Sequence, residues 1–169
     1  MTVFRTIVAA IDFSATSDDA LRVACALAAS QASALHLVHV IPDARQQAWS
    51  AEAPGLDFNL LQAESMADAE RHLAERTAAA TAGLPGVERR VLAGLPAARE
   101  IAQYAASNGA DLIVVGTHGY GPVRRLVLGS VADHVVRLAS CPVLSVPHHT
   151  LRTGELTWLP VEGQAPVDA

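Results

Sequence analysis

The chain has 169 residues, 51% hydrophobic and 17% charged, with 12 Lys plus Arg against 17 Asp plus Glu, a formal net charge of −5. That length suits one domain with a sizeable core, and an acidic balance without a basic run argues against a nucleic-acid partner. Two cysteines are too few for a disulfide framework, no apolar run approaches the ~20 residues that span a bilayer, and the N-terminus lacks signal-peptide order, so a cytoplasmic protein without membrane contact is expected.

Short β-rich runs alternate with longer helical patterns. The first strand is expected over Thr6 to Ile11. Leu21, Ala24, Cys25 and Ala28 then recur at the spacing of a helix face, with Ser14, Thr16 or Ser17 as its cap and Asp18 and Asp19 in its first turn. The second strand is Ala34 to Ile41, ended by Pro42, and the segment from Asp43 to Asp57 reads as a polar loop. A second helix follows to about Ala82, with Met66, Ala69, Leu73 and Ala80 along one side, and Gly83-Leu84-Pro85-Gly86 stops it.

The third strand is Val87 to Leu92. Gly94-Leu95-Pro96 opens the third helix, with Pro96 near its first position and Gly109 suited to its C-terminal cap. The fourth strand is Asp111 to Val115, the fourth helix Ser130 to about Ala139, and the fifth strand Pro142 to Val146. Both cysteines read as buried, reduced thiols. Five strands separated by helices predict an α/β fold: an open, doubly wound, mainly parallel five-stranded sheet with helices on both faces. Ligands bind such sheets beyond the strand C-termini, where the strand order reverses. That points to Asp12, Val40 and Gly116.

Gly116-Thr117-His118-Gly119, nine further residues, and then Gly129-Ser130 at a helix start form the most informative pattern. Glycines let backbone N–H groups approach an anion, and a helix N-terminus adds partial positive charge. The pattern is neither a P-loop, since the chain has no lysine, nor G-x-G-x-x-G, since Arg124 occupies the third glycine's place. Structural alternatives stand beside the anion site. Gly116 and Gly119 suit a turn, Ser130 an N-cap with Asp133 three residues on, Asp12 an acid favouring the next helix, and Val40 a core position. Arg124 and Arg125 read equally as ordinary solvated charges. His118 has no Ser or Cys nucleophile beside it, His148 and His149 are adjacent rather than four apart, and His36 and His39 point to opposite faces of their strand. No catalytic or metal-ligating set emerges.

The G-x2-G-x9-G-S spacing, the opening Ile7-Val8-Ala9-Ala10-Ile11-Asp12-Phe13-Ser14, the Leu37-Val38-His39-Val40 strand, Gly94-Leu95-Pro96, and the closing Cys141-Pro142-Val143-Leu144-Ser145-Val146-Pro147 together resemble the universal stress protein family. The likeness covers most of residues 3 to 147. It implies an adenine nucleotide α-hydrolase-like domain over 1–147; residues 148–169, which have no clear periodicity, lie outside the likeness and read as a C-terminal extension. The likeness also implies ATP as ligand: Gly116, Gly119, Gly129 and Ser130 along the phosphates, and Asp12 and Val40 near ribose and adenine. A triphosphate carries about four negative charges and the loop supplies few cations, Arg124 and Arg125 being the nearest, so Mg²⁺ is expected as the main counter-charge. Valine at 116 or 129 is then expected to block the approach of phosphate. The family likeness further implies a homodimer through strand Val143 to Val146. A nucleotide-dependent regulatory module, a slow ATPase, and a dimeric module that never meets nucleotide are the three functions this leaves. The missing Walker-type lysine, general base and acidic metal pair argue against fast turnover.

Overall fold

In the computed structural model, residues 3–44, 57–117 and 129–147 are described, and every structural statement below concerns them. Wholly apolar runs make the central strands. Ile7, Val8 and Ala9 of β1 (Thr6–Ala10) and Ile113 and Val114 of β4 (Leu112–Thr117) have no solvent exposure, as expected of parallel strands covered on both faces. Around them lie β2 (Ala34–Ile41), β3 (Val87–Ala93) and β5 (Val143–Pro147). The helices are α1 (Ala15–Gln31), α2 (Phe58–Ala78), α3 (Ala97–Ser107) and α4 (Ser130–Leu138).

All pairings are parallel, in the order β3-β2-β1-β4-β5. The side-chain alternation of the strands sorts the core into two layers. Ile7, Ala9, Leu35, Leu37 and Val114 pack with Leu21, Ala24, Cys25 and Ala28 of α1 and Leu73 of α2. Val8, Val38, Ile113 and Val115 pack with Ala98, Ile101 and Ala105 of α3 and Ala132 and Val135 of α4. The sheet is therefore doubly wound, and the strand order reverses between β1 and β4.

Local chemistry shifts some boundaries. Ser14 alone caps α1, accepting from the Ser17 N–H at 3.2 Å, while Thr16 and Ser17 are buried inside the first turn. α2 ends at Ala78 rather than near Ala82 and gives way to turns leading to Gly83, whose φ is +81°. Pro96 is the N-cap of α3 instead of its first residue, and its extended ψ of 143° keeps it outside the helix. Gly109 takes φ +60° just after the Asn108 C-cap, the left-handed position that favours glycine. β4 continues two residues past Val115, so Gly116 is a strand residue paired with Val146, not the first residue of a loop. No described helix is long and apolar enough to cross a membrane.

Candidate functional site

A crevice opens where β1 and β4 end side by side. Asp12, Thr16, Val40, Ile101, Gly116 and Val131 are among its walls, and it encloses about 550 Å³ including its mouth. This is the position at which open α/β sheets hold ligands.

Each wall follows from a strand or helix end. β1 stops at Ala10, although the Ile11 N–H still donates to the Val38 carbonyl at 2.8 Å. The chain then turns through Phe13 at φ +64°. One Asp12 carboxylate oxygen accepts from the Ser14 N–H at 2.9 Å and from its hydroxyl at 2.5 Å; Ser14 Oγ in turn lies 2.9 Å from Thr16 Oγ1. Asp12 thus orients the cap of α1 and is also among the residues that line the crevice.

Val40 contributes more than an apolar side chain. Even-numbered residues of β2 turn their main-chain groups toward β1: the Ala34 N–H donates to the Arg5 carbonyl, and the Val38 carbonyl accepts from Ile11. Val40 continues that series past the end of β1, so its N–H and C=O face the crevice. Its side chain packs on the α3–α4 layer of the core.

Gly116 lies on the opposite wall. A Cβ there would stand 2.6 Å from the carbonyl carbon and oxygen of Thr16, so glycine is required for the first turn of α1 to sit against β4. The expectation that Gly116 matters through phosphate approach therefore has a competing cause, close backbone packing. Gly129 is the N-cap of α4 with no side-chain cap bond, and Ser130 is the first helical residue. The Ser130 N-cap reading is thereby corrected, and Asp133 is held by Arg137 at 3.0 Å instead of serving a capping box. Val131 and Ala132 of this first turn line the crevice, beside the end of α4 that carries partial positive charge.

Asp12, Val40 and Gly116 are thus brought together, with Gly129 and Ser130 at the adjoining helix start. Gly119 and Arg124 lie outside the described residues. Sequence reasoning missed Thr16, Ser17, Ala97 and Ile101, which also line the crevice. The readable signal for the first pair was their place in the first turn after a strand-end acid; for Ala97 and Ile101 it was the apolar stripe of the helix after β3. Among the described residues no three His, Cys, Asp or Glu side chains gather as a metal site.

A model of the universal stress protein family matches residues 4–147. The chain belongs to that family. A universal stress protein of Thermus aquaticus is 38% identical over 146 residues, covering 85% of this chain and 98% of the relative. One of Mycobacterium tuberculosis is 39% identical over 136 residues, covering 79% of this chain, which spans only 42% of that relative's length. Among solved structures, hypothetical protein MJ0577 superimposes with TM-score 0.68 at 25% identity, covering 90% of this chain and 99% of that one. A universal stress protein in complex with cAMP gives 0.60 at 26%, covering 86% and 98%. This universal stress protein accordingly shares its sheet and helix layers with relatives of which one holds a cyclic adenine nucleotide.

Proposed function

We propose that this universal stress protein binds an adenine nucleotide, ATP with Mg²⁺, in the crevice between β1 and β4, and that occupancy makes it a nucleotide-dependent regulatory module. The observation that carries the reading is the Val40 main chain, turned past the end of β1 above an apolar floor. A donor and an acceptor side by side match the N1 acceptor and N6 donor of adenine. Asp12 lines the same space, and a carboxylate is the group that would accept hydrogen bonds from the ribose hydroxyls. The phosphates then run toward the α4 N-terminus, where Gly129 and Ser130 stand, with Gly119 and Arg124 assigned to the same role. Magnesium arrives with the nucleotide as counter-charge. The cAMP complex of a relative supports the adenine preference.

Two copies are proposed to associate through β5, which ends the sheet order and leaves Leu144 37% exposed.

Isothermal titration with Mg-ATP tests the reading. Saturable heat is expected, with Gly129→Val more damaging than Ser130→Ala, which removes one charged-group hydrogen bond of about 1.5–3 kcal/mol. No heat and no thermal shift at millimolar nucleotide would remove the proposal.

A further inference from the structure

The turn that takes the chain out of β1 is held by a side chain of the next strand. After the Ile11 N–H to Val38 carbonyl bond, the following rung of the parallel ladder would run from the Val40 N–H to the Ile11 carbonyl. No main-chain bond joins those two groups. Instead Nδ1 of His39 lies 2.7 Å from the Ile11 oxygen. A carbonyl oxygen only accepts, so the imidazole carries a proton on Nδ1 and donates it. The His39 ring is itself braced. It meets Phe13 at 4.4 Å between centroids, and Phe13 stacks on His72 of α2 at 4.2 Å and 17°. Phe13 stands at φ +64°, a region that costs a bulky residue energy unless its surroundings hold it there.

We infer that His39 is a positioning residue for the crevice: its bond to the Ile11 carbonyl fixes the turn out of β1 so that the Val40 N–H stays outside the β-ladder and open to a bound base, an inference that rests on the adenine-nucleotide reading above. Without the imidazole donor the turn is released, and the Ile11 carbonyl is free to return to the ladder position and accept the Val40 N–H. The rung then closes, and the group that recognises the base is lost.

The test uses the full chain, with AMP and Mg-ATP as probes, and compares wild type with His39→Phe and His39→Asn. Phenylalanine keeps a ring against Phe13 and removes the donor; asparagine keeps a donor at the δ position. His39→Phe is expected to bind AMP at least about tenfold more weakly and to protect the Val40 amide from hydrogen exchange, while His39→Asn stays within about threefold of wild type. Long-range proton–nitrogen spectra of wild type should show the Nδ1–H tautomer at His39. That measurement needs no variant and keeps the inference falsifiable even where His39→Phe fails to fold: the Nε2–H tautomer overturns it. A His39→Phe protein that binds AMP as well as wild type overturns it while leaving the crevice reading intact. A wild-type protein that takes up neither nucleotide overturns both.

Discussion

A Cβ at position 116 would lie 2.6 Å from both the carbonyl carbon and the carbonyl oxygen of Thr16, and 2.9 Å from the Ser17 nitrogen. Those atoms are backbone and cannot rotate away. The crevice wall therefore exists only because β4 carries no side chain where α1 begins. Gly116→Ala is expected to destabilise the nucleotide-free protein by about 1–3 kcal/mol, the usual cost of overpacking a fitted contact. Thermal unfolding without ligand checks this. An unchanged midpoint combined with lost nucleotide binding would restore phosphate approach as the sole reason for the glycine.

A second contact ties α2 to an outer strand. Arg89 of β3 donates from Nε to Thr77 Oγ1 at 2.8 Å and from its terminal nitrogen to Thr81 Oγ1 at 2.7 Å, while Thr77 Oγ1 donates to the Leu73 carbonyl at 2.7 Å. Thr77 is buried, and Leu73 beneath it is wholly so. Thr77→Val keeps the shape but removes a partner from the guanidinium, at a cost of about 1–3 kcal/mol. Arg89→Lys is also expected to destabilise, because an ammonium lacks the planar fork that reaches both hydroxyls. Urea midpoints measure both variants.

At the other end of the sheet, Asp111 links the starts of β1 and β4 by accepting from the Arg5 N–H at 2.7 Å and the Thr6 N–H at 3.0 Å. The bond from Thr6, then that from Arg5, holds its carboxyl below the ordinary range. The folded form therefore binds this proton less readily than the unfolded chain. The resulting stability is present above the unfolded carboxyl value of about 3.9 and is lost as pH falls from there through the lower folded value. Asp111→Asn should be less stable than wild type at pH 7, with the gap closing below about pH 4. A gap that stays constant down to pH 3 contradicts the assignment.

The proposed dimer has its own discriminating residue. Val143 packs against the α3–α4 core layer, so a charge there threatens folding as well as association, whereas Leu144 is exposed on the edge strand. Leu144→Arg is expected to shift the protein to monomer in sedimentation equilibrium with its melting behaviour little changed. A Leu144→Arg protein that remains dimeric would exclude β5 as the interface.

Much of this architecture is legible in the residues. The bounds of β2, Ala34–Ile41, follow directly from its apolar run and the proline after it. Leu21, Ala24, Cys25 and Ala28 bury the face their spacing predicts. What local pattern does not reveal is non-local: the contact of Gly116 with α1 depends on two segments a hundred residues apart, and the outward-facing Val40 main chain depends on where a neighbouring strand stops. Neither leaves a mark in periodicity. The Ser130 cap was misjudged for a nearer reason. Glycine and serine both serve as N-caps, and only the backbone angles of Gly129, φ −54° and ψ 147°, put the cap one residue earlier and make Ser130 the first helical residue. Thr16 and Ser17 look like cap candidates by composition, yet both are buried against the crevice, because Asp12 commits Ser14 to the capping position.

The central claim is that the gap between the ends of β1 and β4 receives the base and sugar of an adenine nucleotide. Titrating Mg-ATP into isotopically labelled protein and following each backbone amide tests it most directly. Saturable shifts concentrated at Asp12, Val40, Gly116, Ser130 and Val131 are predicted. Amides that stay unmoved at millimolar nucleotide, or shifts confined to the outer faces of α2 and β3, would contradict it.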